Sequence, residues 1–170
     1  MPQHLGRAGA ERAMVQEDDA AVERPEAREK HQCDGSIART MDLRPLMNPK
    51  SVAVVGASQR MGRGTRVVGN LQRFGYKGPI FPINPKYAEI QGLPCYPDLA
   101  STPEPAEMVV VAIPAAEVPG LLATAADHGV RAAVILSSGF AEAGPVGRER
   151  QAALERLAAE RGLLICGPNC

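Results

Sequence analysis

One stretch near the start of the regular part of the chain constrains the fold more than any other. Residues 49–58 read PKSVAVVGAS, a β-branched apolar run that ends in small residues, and Gly62 and Gly64 follow. The run is typical of a buried strand, and the segment after it is compatible with a helix. Small residues between a strand and a helix let a ligand approach the main chain, and the helix N-terminus favours negative charge. The pattern therefore predicts a ligand that carries phosphate.

From residue 50 onward, strand and helix patterns alternate at regular spacing. Predicted strands cover residues 51–55, 78–83, 108–113, 131–136 and 163–166. Predicted helices cover residues 65–74, 117–128 and 147–161, and a short helical turn is expected at 97–100 inside the proline-rich connection 84–106. Alternation at these lengths predicts an α/β fold: a Rossmann-like, doubly wound parallel sheet of about five strands with helices on both faces.

The composition divides the chain into two parts. Residues 1–40 contain six Lys/Arg and eight Asp/Glu with few large apolar residues, which predicts a disordered or weakly helical tail. Residues 41–170 are predicted to form the folded domain. The sequence ends at 167–170, just after the last predicted strand, where a ligand-binding loop belongs in this fold. We therefore expect the domain to be a piece truncated at its C-terminal end.

Charge and cysteine content narrow the class of protein. With 19 Lys/Arg against 19 Asp/Glu, nothing in the sequence favours nucleic acid or an anionic membrane as a partner. The longest apolar runs are strand-sized, and no secretory signal precedes them. The spacing of Cys33, Cys95, Cys166 and Cys170 matches no zinc site, so reduced thiols and a cytoplasmic location are expected. A redox role for the cysteines stays open as the lesser alternative.

The loop after the first predicted strand departs from the nicotinamide pattern. A G-x-G-x-x-G loop would have glycine where Ser58 and Met61 stand, and an acidic residue would end the second strand where Asn84-Pro85-Lys86 stands. A lysine there suits a phosphate on or near the ribose. Coenzyme A (CoA) carries such a group at the 3′ position and NADP at the 2′ position. These residues alone leave both ligands open.

Five separated segments, in the right order, resemble a known family. They are residues 48–58 (NPKSVAVVGAS), 81–86 (FPINPK), 111–114 (VAIP), 137–142 (SSGFAE) and 167–170 (GPNC). Together they are similar to the N-terminal CoA-binding domain of the NDP-forming acyl-CoA synthetases, which include ADP-forming acetyl-CoA synthetase and are related to the succinyl-CoA synthetase α subunit. The likeness covers roughly residues 41–170.

The resemblance implies eleven ligand-binding residues, all at carboxyl ends of predicted strands. They are Gly56, Ala57 and Ser58 for the CoA diphosphate; Asn84, Pro85 and Lys86 for the adenosine end; Ile113 and Pro114 for a wall; and Ser137, Ser138 and Gly139 along the pantetheine path. Among them Lys86 is the candidate partner of the 3′-phosphate. These assignments agree with the edge of the sheet at which the predicted topology expects a ligand.

The resemblance also says what lies outside this chain. In the family, ligation proceeds through a phosphohistidine on a following flavodoxin-like domain, and an ATP-grasp module binds the nucleotide. ATP, ADP and magnesium are therefore expected in the parent enzyme rather than here. The expected partners are CoA and those domains or a subunit that carries them, and oligomer formation is left open. The sequence shows no activated nucleophile or paired acid and base, so no catalytic or metal-binding residue is predicted.

Our interpretation is the CoA-binding domain of an ADP-forming acyl-CoA ligase that acts on acetate or a related acid. A stand-alone CoA-binding or regulatory module is the first alternative. A second is the CoA-binding-like sensor part of a protein lysine acetyltransferase. An NADP-dependent oxidoreductase domain is a third, and Ser58 and Met61 in the loop argue against it.

Overall fold

A computed structural model describes residues 41–170, so the prediction for residues 1–40 lies outside the described residues. The elements in chain order are α1 (Arg44–Met47), β1 (Val52–Val55), α2 (Arg63–Arg73), β2 (Ile80–Ile83), β3 (Glu89–Ile90), β4 (Leu93–Pro94), β5 (Met108–Val111), α3 (Val118–Asp127), β6 (Ala132–Ile135), α4 (Pro145–Arg161) and β7 (Leu164–Cys166). Short 3-10 turns at Ala115–Glu117 and Ala141–Ala143 precede α3 and α4.

Five strands form one parallel sheet in the order β2-β1-β5-β6-β7. Val55 pairs with Ile83 on one side and with Val111 on the other, and Val111 pairs with Ile135. The strands therefore end in line at one edge of the sheet. The predicted α/β, Rossmann-like fold is confirmed. The chain runs from β1 outward to β2 and returns on the other side at β5, and this reversal opens a crevice at the carboxyl ends of β1 and β5.

Helices cover both faces of the sheet, which explains the continuous apolar strands. One face packs against α3 and α4 through Val118, Leu122 and Leu154, and the other packs against α2 through Val68. All four residues of β1 are buried because alternate side chains enter the two cores. The described chain thus builds its cores largely from aliphatic side chains, with Phe81 and Phe140 as the buried aromatic rings.

Two details of the connection between β2 and β5 differ from the sequence prediction. The helical turn predicted at 97–100 is wrong, because residues 97–104 form bends and a turn instead. The hydroxyl and the amide of Ser101 both donate to the Asp98 carboxylate, and this side chain closes the turn without a helix. The antiparallel hairpin of β3 and β4, joined at Gln91 and Gly92, was not predicted. None of the helices in residues 41–170 has the length and apolar character needed to cross a membrane.

Candidate functional site at the carboxyl edge of the sheet

Gly56 brings the end of β1 against the end of β5. Its φ is +91°, and its amide donates to the carbonyl of Ile83 at 3.2 Å. A Cβ placed on Gly56 would lie 2.4 Å from the carbonyl oxygen of Ala112. Only glycine fits both this φ and this contact. The crevice between the two strand ends is therefore narrow at Gly56.

The loop from β1 to α2 is held by a glycine and a threonine. A Cβ on Gly64 would lie 2.8 Å from the amide nitrogen of Ala57, so the first turn of α2 packs directly on the backbone that leaves β1. The Thr65 hydroxyl accepts the Ser58 amide at 3.1 Å and lies 2.6 Å from the Ser58 carbonyl oxygen, to which it can donate. These contacts hold the loop against the first turn of α2.

The start of α2 lies at the same edge of the sheet. The helix begins at Arg63, its N-cap is Gly62, and no side chain caps it. The first amides of a helix have no intrahelical acceptor and carry the positive end of its dipole, which favours an anion there. The Arg63 guanidinium reaches across the crevice and donates to the carbonyl of Leu136, just after β6. This position therefore combines helix amides with one fixed cation.

Two neighbouring cavities follow this edge and share Gly56 and Ile113. The first, which we name the Lys86 cavity, has a volume of about 520 Å³, and the second, the Ser138 cavity, about 320 Å³. Eight of the eleven predicted residues line one cavity or both: Gly56, Asn84, Pro85, Lys86, Ile113, Pro114, Ser137 and Ser138. The structure thus brings together residues from the ends of β2, β1, β5 and β6.

The Lys86 cavity is organised by Asn84. Its side-chain amide donates to the carbonyl of Ala57 at 2.7 Å, and its side-chain oxygen accepts the Lys86 amide at 3.0 Å. Asn84 therefore ties the loop after β2 to the loop after β1. Lys86 is the basic residue among the described residues that line this cavity, where Asp98 and Glu117 supply two acidic ones.

Asp98 and Glu117 were not identified from the sequence as site residues. Hydrogen bonds from the hydroxyl and amide of Ser101 lower the pKa of Asp98 below its ordinary value, so this side chain stays an anion and an acceptor at neutral pH. The cavity offers one cation and two acceptors. This mixture fits a ligand that presents both phosphate and hydrogen-bond donors.

The Ser138 cavity joins the start of α2 to the end of β6. Ser137 is buried, and its hydroxyl donates to the carbonyl of Ile113 at 2.5 Å, which ties the end of β6 to the end of β5. Ser138 is exposed, and Pro114 and Arg63 line the same space. The sequence prediction did not include Arg63, because its role depends on the position of β6.

Three of the predicted residues do not line either cavity. The Ala57 side chain is fully buried in the apolar core, and the Ser58 amide is already engaged by Thr65. The Gly139 amide donates to the Glu142 carboxylate at 2.6 Å and lowers the pKa of that group. These three residues shape the loops behind the cavities, and direct contact with a ligand stays a prediction for them.

The described residues hold no cluster suited to a metal ion: residues 41–170 contain no group of three His, Cys, Asp or Glu placed to hold one. His128 is the C-cap of α3, and its Nδ1 lies 2.8 Å from the carbonyl oxygen of Thr124. This geometry places His128 at the end of α3, where it does not itself line either cavity.

Comparison with known proteins identifies the family. Residues 50–170 match the family described as CoA binding domain. The chain belongs to this CoA-binding domain family. An acetate–CoA ligase [ADP-forming] II from Archaeoglobus fulgidus is 43% identical over 129 residues, which cover 75% of this chain and 19% of that protein. A trans-feruloyl-CoA synthase from an unknown prokaryotic organism is 44% identical over 126 residues, 74% of this chain and 18% of that protein.

A solved structure shows the same fold. Acetyl-coenzyme A synthetase 1 of Ca. Korarchaeum cryptofilum, in complex with phosphate and ADP, superposes with a TM-score of 0.70 at 38% identity, over 75% of this chain and 27% of that chain. This CoA-binding domain is homologous to the N-terminal part of ADP-forming acetyl-CoA synthetases, and the alternative functions weighed from the sequence are not favoured. The chain spans about a fifth of the length of the two curated relatives.

Proposed function

We propose that this chain binds CoA across the crevice between β1 and β5, as the CoA-binding domain of an ADP-forming acyl-CoA ligase. One observation carries the proposal: two cavities that share Gly56 and Ile113 form a path along the carboxyl edge, in a member of a CoA-binding family. A path with a cation in each cavity suits an elongated ligand with separated phosphates. Lys86 and Arg63 are those cations.

In this proposal the Lys86 cavity receives the adenosine end. Lys86 pairs with the 3′-phosphate, and Ile113 provides an apolar wall for the base. Asp98 and Glu117 accept hydrogen bonds from the N–H or O–H groups of adenosine, since an ionised carboxylate can only accept. Asn84 holds the loop that carries Lys86 in place.

The diphosphate is assigned to the start of α2. The amides of Gly62, Arg63 and Gly64 lie at the positive end of the helix, and the Arg63 guanidinium adds a full charge. Gly56 keeps the backbone close to the ligand here, whereas the Ser58 amide is already occupied. The pantetheine arm would then run along Pro114 and Ser138 in the second cavity, and its thiol would leave the domain near the end of β6.

The complete reaction that we propose for the parent enzyme joins a carboxylate to CoA with ATP, giving acyl-CoA, ADP and phosphate. In this proposal the phosphohistidine and the nucleotide site belong to other domains or to a partner subunit. The parent enzyme acts in the cytoplasm. Relatives named for acetate and for ferulate match the same region at 43% and 44% identity. This similarity supports a role for the present domain in holding CoA and for other domains in choosing the acid.

The test is a calorimetric titration with CoA, dephospho-CoA and NADP. A charge-assisted contact is worth about 1.5–3 kcal/mol, so Lys86→Ala should weaken CoA binding by about tenfold to a hundredfold and leave dephospho-CoA unchanged. Lys77→Ala is the matched control, because Lys77 is an exposed lysine that precedes the amino end of β2, whereas Lys86 follows its carboxyl end. Equal losses for both ligands would refute the assignment of Lys86.

Arg63→Gln should show a different signature. Since both ligands carry the diphosphate, this variant should weaken CoA and dephospho-CoA by similar factors of about ten or more. Arg66→Gln, also exposed and on the same helix, is the control and should change neither. Tighter binding of NADP than of CoA by the folded wild-type chain would overturn the proposed function.

A further inference from the structure

Two cysteine sulfurs meet at the end of the sheet. Cys166 is the last residue of β7, and Cys170 lies four residues later. Their Sγ atoms are 3.7 Å apart, and both residues are exposed. Cys95, by contrast, is partly buried, and its Sγ lies 3.5 Å from the carbonyl oxygen of Asn84. Among the described cysteines, Cys166 and Cys170 therefore form a pair that solvent can reach.

The backbone holds this pair in place. Cys166 pairs with Val134 in the sheet, and the Cys170 amide donates to the carbonyl of Ile135 at 3.2 Å. The Asn169 amide donates to the carbonyl of Ser137 at 3.1 Å. Both ends of the short loop are therefore anchored to β6 or to the residues just after it. The sulfurs are neighbours because of these main-chain contacts.

The distance between the sulfurs suits bond formation. A disulfide has an S–S length of about 2.05 Å, so the sulfurs must approach by about 1.7 Å, and both side chains are exposed. Partial burial and the neighbouring Cys166 sulfur raise the pKa of the Cys170 thiol.

We propose that Cys166 and Cys170 form a dithiol site that reacts with the disulfide of a small thiol and is oxidised to an intramolecular disulfide. In the first step, the thiolate of one cysteine attacks the small disulfide, whose S–S bond breaks and releases one thiolate. In the second step, the thiolate of the other cysteine attacks the protein sulfur of the mixed disulfide and expels the second small thiolate. The two protein thiols lose two electrons and two protons, and the small disulfide becomes two thiols.

Two sources of the small disulfide are distinguishable. Within the loop between the cysteines, the Asn169 amide donates a hydrogen bond to the carbonyl of Ser137. Ser137 lines the Ser138 cavity, which we assign to the pantetheine arm. CoA disulfide would thus reach the cysteines through the Ser138 cavity, and this part of the proposal rests on the proposed function. Oxidised glutathione would react from solvent and does not depend on the cleft. The shared chemistry is thiol–disulfide exchange.

The test uses the full chain, reduced and then incubated with oxidised glutathione. Remaining thiols are blocked with N-ethylmaleimide, and tryptic peptides are measured by mass spectrometry. The peptide that begins at Gly162 contains both cysteines. We expect it to become two hydrogens lighter and to carry neither glutathione nor N-ethylmaleimide. The Cys95 peptide is the internal control and should be alkylated.

A matched variant makes the second step visible. In Cys170→Ser, Cys166 should keep one glutathione, because no second thiol is present to expel it. Separate glutathione adducts on Cys166 and Cys170 in the folded wild-type chain, or two unreacted thiols, would overturn the proposal. Circular dichroism before and after treatment verifies the fold.

A parallel incubation with CoA disulfide identifies the source. Faster oxidation by CoA disulfide than by glutathione disulfide at equal concentration supports delivery through the cleft, and equal rates support the dithiol site with any small disulfide. If glutathione disulfide forms the bond but titrated CoA shows no binding, the proposed function fails and the dithiol site stands.

Discussion

The tight contact at Gly56 offers the most direct check of the crevice, through the variant Gly56→Ala. The added methyl group would lie 2.4 Å from the Ala112 carbonyl oxygen, and φ at this position is +91°. Gly75→Ala is the matched control. Its φ of +73° is comparable, but the added methyl carbon would have no heavy atom of another segment within 4 Å. The two variants therefore share the backbone strain and differ in the contact.

The expected magnitudes follow from these two terms. A non-glycine residue at positive φ costs about 1–2 kcal/mol, and both variants lose this amount. Ordinary contacts of a Cβ start at 3.4 Å, so Gly56→Ala must also displace the end of β5 by about 1 Å. Overpacking of this kind costs about 1–3 kcal/mol. We expect Gly56→Ala to lose about 2–5 kcal/mol in the free energy of unfolding, and Gly75→Ala about 1–2.

Urea and thermal unfolding, followed by circular dichroism, measure the difference. One kcal/mol corresponds to roughly 4 °C in the Tm of a domain of this size, so Gly56→Ala should melt about 4–12 °C below the control. If the two variants unfold at the same urea concentration and temperature, the ends of β1 and β5 are not in contact at Gly56. The narrow crevice, and the ligand path built on it, would then be wrong.

Two further predictions concern a loop and a surface carboxylate. Thr65→Val keeps the side-chain size but leaves the Ser58 amide without its hydrogen-bond partner. The free energy of unfolding, measured by urea titration, should therefore fall by about 1–3 kcal/mol. The control Thr124→Val, on the exposed face of α3, should change it by less than about 0.5 kcal/mol. Hydrogen bonds from Arg44 hold the pKa of Asp42 at about 2, below its value of 3.8 when unperturbed. The stability from this pair should be complete above pH 3.8 and lost as the pH falls toward 2, and Asp42→Asn should remove that part of the pH dependence in thermal melts. An unchanged profile in the variant would contradict it.

The large elements could be predicted because their signals are local. Three strands of the main sheet, β1, β5 and β6, are continuous apolar runs, such as Val52–Val55 and Met108–Val111. The observed bounds of the five strands differ from the predicted ones by up to two residues. The hairpin of β3 and β4 could not be predicted in the same way. Its strands have two residues each, too few for a period, and Gln91 takes φ +52° at a turn where asparagine or glycine is the usual signal.

Some residues of the candidate site could also be predicted from local sequence signals, and others could not. Parallel topology alone places Gly56, Asn84 and Ile113 at one edge of the sheet, because all three closely follow strand ends. Arg63, Asp98 and Glu117 enter the site through packing between distant segments, which no local pattern encodes. The sequence predicts that the small size of Gly56 serves ligand approach or a turn. The structure adds another cause, the carbonyl of Ala112.

The strand order has a consequence for the shape of the ligand. Lys86 follows β2 and Ser138 follows β6, and β1 and β5 lie between those two strands. Three spacings of about 4.8 Å separate the outer pair, so a molecule that touches both residues must extend over roughly 14 Å. A mononucleotide or a short thiol can contact only one of these two residues at a time. The two halves of CoA, offered separately, should each bind weakly, and their covalent linkage should supply most of the affinity through effective concentration.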